Sequence, residues 1–279
     1  MKTIPVRTWS GFQKQVQKFR KEFGVRLMQR EGGEALRREN RVLFRGQSDS
    51  RWELQTTLER RSKQKFSVYR YTSVALAAVN EIETFTGRSW NTPPDPDLQD
   101  QILKNQAESR VHLPCYDYLV YLRHHGFPSP LLDWTESPFI AAYFAYVNAG
   151  PHNPAVYCYV EYPNSFKSGH MGRSIVTVQG PYVSSHKRHF AQKAWYTIAT
   201  EWDREDHSHY FCEHGSVLNR DDPKQDLCVK IVLPARLRLE ALRHLNDYNI
   251  NHFTLFQSED SLVKAIEVKE FDLGGLVEF

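Results

Sequence analysis

No run of eighteen apolar residues occurs anywhere in the 279-residue chain, so a membrane-spanning helix is not expected. The opening stretch MKTIPVRTWSGFQKQ lacks the apolar core of a secretory signal. Cysteine is scarce. Cys115, Cys158, Cys212 and Cys228 lie far apart and form no C-x-x-C pair, which fits free thiols in a reducing cytoplasm better than a disulfide framework. Walker, G-x-G-x-x-G and H-E-x-x-H motifs are also missing, which counts against nucleotide hydrolysis on a P-loop and against Rossmann chemistry. Neither an internal repeat nor a low-complexity segment is found.

What is present is an ordinary globular composition with an uneven charge. The net charge is only +3, yet residues 1–70 hold 18 Lys+Arg against 7 Asp+Glu, and the remainder holds 18 against 26. Such asymmetry points to a nucleic-acid or acidic partner, or to a solvated basic helix. Ser10 and Gln13 read as a capping box. Phe12, Val16, Phe19, Phe23 and Leu27 then recur at helical spacing, with Lys14, Lys18 and Lys21 largely on the other side. Gly32-Gly33 interrupts this helix, and Arg41–Phe44 reads as a short strand.

Further along, the spacing predicts a helix over Ser73–Thr84, and NTPPDPD at 91–97 reads as an exposed loop. Another helix is expected over Cys115–His125, stopped by Gly126 and Pro128. Ala155–Tyr162 and Leu227–Leu233 are strand-like. A helix follows over Pro234–Leu245, then a strand over His252–Phe256 and a helix over Glu259–Ile266 capped by Ser258. The class is α+β, with a basic helical extension over residues 1–40 and one domain over 41–279.

The stretch HHGFPSPLLDWTESPFIAAYFA, from His124 to Ala145, is the densest in signals. Leu131-Leu132 places Asp133 at the end of a buried strand, Ser137 is a good N-cap and Pro138 a good first helical residue. Asp133 and Thr135 thus stand where a strand feeds a helix N-terminus, a place suited to a polar or anionic ligand. Capping alone leaves His124, Trp134 and the distant Arg45 unexplained. Ile140–Val147 reads as core.

These residues carry a resemblance. Phe44-Arg45-Gly46-Gln47, with Trp52-Glu53-Leu54 and Leu58-Glu59-Arg60, resembles the opening of the FRG domain family. His124-x-Gly126-x-Pro128 running into Leu131-Leu132-Asp133-Trp134-Thr135 resembles its central signature. Arg188-x-x-x-Gln192-x-Ala194-x-Tyr196-Thr197 resembles its third, with Ala194 and Tyr196 where glycine and phenylalanine are usual. His252–Phe256 resembles its closing strand, so the likeness covers roughly residues 40–266. The motif order is in turn similar to mono-ADP-ribosyltransferases of the Arg-Ser-Glu type, which implies an ADP-ribosyltransferase-like mixed β core with flanking helices.

That resemblance implies an enzyme consuming NAD as co-substrate, with no metal. Arg45 would bind the pyrophosphate, for which a guanidinium is suited. Asp133 is the first choice for the carboxylate that stabilises an oxocarbenium-like centre, and Gln192 would orient substrate. Gly46, Gln47, His124, Trp134 and Thr135 complete the expected NAD site, with Trp134 stacking on nicotinamide. Glu259, in Gln257-Ser258-Glu259, mimics the transferases' Gln-x-Glu motif but also fits a helix first turn, where it stabilises by roughly 0.3–1 kcal/mol. The basic N-terminal region points to a nucleic-acid acceptor, RNA first, with protein second. The resemblance further implies a toxin or phage-defence effector with a neutralising antitoxin, in the cytoplasm. The alternatives are a non-catalytic nucleotide or nucleic-acid binding module, and a nuclease or NAD glycohydrolase using Asp133 and His124 as acid and base. His207, His209, Cys212 and His214 crowd into HSHYFCEH, but without paired metal spacing they read as a polar loop. Cys115 beside Pro114 reads as a packing cysteine, or as one of lowered pKa at a helix start.

Overall fold

The computed structural model describes residues 1–28, 36–105, 111–163, 174–180, 183, 187–220 and 225–275. The chain opens with β1 (Lys2–Pro5), α1 (Trp9–Phe23), β2 (Val25–Met28), β3 (Leu36–Glu39) and β4 (Val42–Gln47). Helices α2 (Thr57–Arg61), α3 (Val68–Leu76), α4 (Val79–Thr86), α5 (Asp95–Asn105) and α6 (Tyr116–His124) follow. Next come β5 (Leu132–Thr135), α7 (Pro138–Tyr146), β6 (Ala155–Glu161), β7 (Ile175–Gln179), α8 (Lys187–Ala191) and β8 (Ala194–Asp203). The last part holds β9 (Ser208–Phe211), α9 (His214–Leu218), β10 (Asp226–Val232), α10 (Arg238–Asp247), α11 (His252–Phe256) and α12 (Glu259–Glu267).

The fold is α+β, built on an eight-stranded mixed sheet in the order β1-β10-β6-β4-β5-β8-β7, with β9 added on β8. Among the described strands only β1 against β10 is parallel. β6 lies well inside the sheet and is covered on both faces, so six consecutive residues of AVYCYV are buried. The first forty residues, read as a helical extension, contribute β1 to the sheet edge and seat α1 on the core through Trp9, Phe12, Val16 and Phe19. The helix read through Leu27 ends earlier, at Phe23 with Gly24 as its cap, and Leu27 belongs to β2; Gly32-Gly33 lies outside the described residues.

One face of the sheet carries two hydrophobic clusters. The first gathers α1, α7 and α10 over Val42, Phe44 and Val156, and the second gathers α3, α5 and α6 over Ala194, Tyr196 and Ile198. A third lies on the opposite face around Leu43, Leu132, Trp134 and Tyr159. β4 and β5 share a single pair, Phe44 with Thr135, and part beyond it. That fork, where the first two clusters meet, is where the cleft forms.

Local expectations hold at several points. Ser137 accepts from Ile140 N, with Pro138 the first residue of α7. Gly126 ends the α6 segment at φ +86°. Ser258 caps α12. Others are corrected. The cap of α1 is Thr8, accepting from Gly11 N, and Ser10 lies inside the helix. The helix read over Ser73–Thr84 is two helices, breaking at Ala77–Ala78. α5 begins at Asp95, inside the supposed loop, because a proline in a first helical turn forfeits an N–H with no intrahelical partner anyway. His252–Phe256 is a helix: Asn251 and Thr254 close a capping box that β-rich composition concealed. HSHYFCEH is no loop either, since it forms β9 and starts α9 with His214 buried.

Candidate functional site

β5 alternates, and alternation sorts its residues. Leu132 and Trp134 point into the third cluster, while Asp133 and Thr135 face the other way with Ala194 and Tyr196 of β8, their cross-strand partners. α6 ends above this face, so its last turn delivers Arg123 and His124. α7 approaches β4 so closely that a Cβ at Gly46 would stand 1.9 Å from the Ala141 carbonyl oxygen. Glycine there is a packing requirement. The result is a cleft of about 350 Å³, lined by Arg45, Arg123, Asp133, Thr135, Tyr196 and Phe256 among others.

Arg45 enters at the fork. Its Nη1 donates to the Asp133 carbonyl at 2.9 Å and stands 3.6 Å from Asp133 Oδ2. Arg123 donates through Nη2 to that same carboxylate oxygen. The Nε atoms of Arg45 and Arg123 are buried with no hydrogen-bond partner. Burial alone pushes the Asp133 carboxyl up, but the Arg123 and Arg45 charges and the Arg123 hydrogen bond outweigh it and hold the group below its ordinary value. Asp133 is therefore a fixed anion at neutral pH. Tyr196 Oη lies 3.0 Å from His124 Nε2 and 3.5 Å from His189 Nδ1, and burial, with Asp133 next, raises its pKa.

The FRG domain family model matches residues 40–153. No curated protein and no solved structure matches the chain. The FRG match takes in Arg45, Arg123, His124, Asp133 and Thr135, and thus the charged floor of the cleft. The wall opposite, from α8, β8 and α11, lies outside the matched segment.

That wall is stapled by Gln192. Its backbone oxygen accepts from Thr135 Oγ1 at 2.7 Å, and its side-chain amide donates to the Leu255 carbonyl at 3.1 Å. Arg188 lines the cleft beside it, donates through Nε to the Phe256 carbonyl at 3.3 Å and lies over the Phe256 ring. Phe256 meets Phe144 edge to face across 6.0 Å.

The structure therefore brings together Arg45, Gly46, His124, Asp133, Thr135 and Gln192. It separates two others. Trp134 reaches the cleft only at its strand: the indole packs on Tyr159 and donates to Thr197 Oγ1 at 2.9 Å, so it offers no face to nicotinamide. Gln47 is not among the lining residues, and its amide donates to the Glu53 carbonyl. Glu259 stands in the first turn of α12 and does not line the cleft. Arg123, Arg188, Phe144, Tyr196 and Phe256 were not chosen from sequence as site residues. Arg123 carried a readable signal, a cation in the last turn of a helix beside His124.

Among the described residues no group of three or more His, Cys, Asp or Glu side chains is gathered for a metal ion. His214 sits instead between Glu59 Oε1 at 2.7 Å and the Thr197 carbonyl at 3.2 Å. Burial raises the Cys115 thiol to about 11, the opposite of an activated cysteine. A second cavity, of about 340 Å³, lies between α2 and the β8–α9 region, and there Lys65 pairs with Glu201 and Arg220 with Ser174. No helix of the described residues is long and apolar enough to cross a membrane.

Proposed function

We infer that the chain is an NAD-consuming mono-ADP-ribosyltransferase that modifies a macromolecule, nucleic acid before protein. The observation that carries this reading is Asp133 held as an anion between Arg45 and Arg123 at the fork of the sheet. NAD offers the complementary charges: a pyrophosphate for guanidinium groups, and a ribose carbon that turns positive as nicotinamide departs. Arg45, Arg123 and Arg188 all line the same space, and guanidinium groups suit phosphate oxygens. Phe144 supplies apolar surface beside a base that Trp134 does not, while the Phe256 ring is itself stacked on His252 and covered by Arg188.

In the proposed step the bond from ribose C1′ to the nicotinamide nitrogen breaks, and nicotinamide leaves with the bonding pair. The acceptor's nucleophile bonds to C1′ and releases its proton. Asp133 stays ionised throughout and stabilises the positive sugar, as carboxylates do in glycoside cleavage. A toxin or defence role with a neutralising partner extends this reading by the family resemblance alone. Asp133 as the acid of an acid–base nuclease loses support, because a carboxyl held below its ordinary value carries no proton to donate near neutral pH.

One observation favours a second reading, a nucleotide-binding module without turnover: two guanidinium groups already neutralise Asp133. Labelled NAD offered with total RNA, DNA and cell extract separately decides between them. Label passing to one fraction with wild type, and not with Arg45→Ala or Asp133→Ala, supports the transferase and names its acceptor class. Free nicotinamide without transfer indicates a glycohydrolase. No turnover of NAD overturns the enzyme and leaves the binding module.

A further inference from the structure

Part of the basic excess of the first seventy residues lies on α1 and at the start of β4. α1 buries one face, and Lys14, Lys18 and Lys21 are exposed on the opposite one, at i, i+4 and i+7. The last turn of the same helix is tied to the edge of the cleft. Arg20 donates to the Glu136 carbonyl at 2.8 Å and lies over the ring of Phe44, which lines the cleft.

Two more cations meet there. Arg41 is half exposed, lies over Trp195 at 3.5 Å from the ring centre and approaches Glu136 Oε1 at 3.4 Å. The carbonyl of Lys193 accepts from Glu136 N at 3.2 Å, and its side chain is exposed. Glu136 thus organises a corner of Arg20, Arg41 and Lys193 directly beside Thr135 and Gln192. Its own carboxylate is engaged by Arg41 and by Trp195 Nε1 at 3.0 Å. On α1 the neighbouring acid is Glu22, exposed beside Lys21.

An exposed aromatic completes the patch. Phe190 is 89 % exposed, on a helix that contains no acidic residue, and its carbonyl accepts from Lys193 N at 3.1 Å. Cations interleaved with an open ring are what a single strand needs: phosphates for the cations, a base face for the ring.

We propose that this surface, from the lysine stripe of α1 through the Arg20–Arg41–Lys193 corner to Phe190, binds single-stranded nucleic acid and leads it to the cleft. The inference takes its chemistry from the transferase reading, yet the surface is tested by binding alone. Lys14→Ala/Lys18→Ala/Lys21→Ala keeps good helix formers at exposed sites, and Phe190→Ala removes no buried contact, so both variants fold.

The measurement is fluorescence anisotropy of labelled single-stranded RNA and DNA oligonucleotides against the full chain, repeated over a salt series. Wild type is expected to bind at least one of the two strands. The triple variant should bind more than about tenfold more weakly at low salt, with a salt slope smaller by about 2, as three lost phosphate contacts require. Phe190→Ala should weaken binding about tenfold with the slope unchanged. Variants that bind like wild type, or a wild type that binds neither strand, overturn the proposal. NAD turnover on a protein acceptor without strand binding would refute this surface and spare the transferase. Strand binding lost in the variants, in a protein that leaves NAD untouched, would do the reverse.

Discussion

Replacing Asp133 by leucine removes, among the described residues, the one carboxylate paired with Arg45 and Arg123. Those two side chains are each only 15 % exposed, whereas Asp133 is 37 % exposed. At about 4 Å and an effective dielectric of 20, one such pair interacts by about 4 kcal/mol. Breaking a buried pair typically costs about 3–5 kcal/mol because it strands the remaining charge. The partial exposure of Asp133 puts its loss at the lower end, about 3 kcal/mol. Adding Arg123→Met removes one stranded charge and leaves Arg45, so the double variant should recover part of the loss, a coupling of about 2 kcal/mol. Urea denaturation of the two single variants and the double one measures it. Losses that add to within about 0.5 kcal/mol would refute the pairing.

The pH dependence has a definite sign. The carboxyl is depressed in the folded chain, so its stabilisation is present above the unfolded value of about 3.9 and is lost as pH falls through the folded one. The gap between wild type and Asp133→Leu should therefore stay flat from neutrality to about pH 5 and close below about pH 4.

Gly46→Ala should cost about 3 kcal/mol or more, since its methyl would meet the Ala141 carbonyl at 1.9 Å and Ala145 N at 2.6 Å, both backbone of α7; the denaturation midpoint reads it. Trp134→Phe should lose about 1 kcal/mol with its hydrogen bond to Thr197 and leave NAD affinity unchanged by calorimetry, whereas a changed affinity would restore Trp134 to the cleft. His214→Leu should cost about 3 kcal/mol by stranding the mostly buried Glu59 carboxylate, with the same midpoint as readout.

The central motif was legible because its signals are local. Ser137 and Pro138 open α7, and Gly126 closes the α6 segment. The expected nicotinamide stack of Trp134 runs against the alternation of L-D-W-T, which turns Trp134 to the core with Leu132 and Asp133 to the cleft. What stayed hidden depends on distant chain. That β4 and β5 part after one pair, opening a cleft between two hydrophobic clusters, follows from how β6 and β8 draw their neighbours apart, and no window of sequence contains that. Phe256 was misplaced because HFTLF has strand composition, and the Asn251–Thr254 box that makes it helical uses two side chains equally at home in a turn. Gln192 donates an amide N–H to the Leu255 carbonyl, a contact across the chain that braces the wall of the cleft and that no local pattern reveals.

Nicotinamide release from NAD, followed beside acceptor labelling in one reaction, tests the transferase most directly. Wild type should release nicotinamide in step with label appearing on the acceptor. Asp133→Asn, checked as folded, should lose at least about a hundredfold in that rate, as removal of one charge-stabilising group does. Release undiminished in Asp133→Asn, or none from wild type with every acceptor supplied, would contradict the role given to Asp133 and the activity with it.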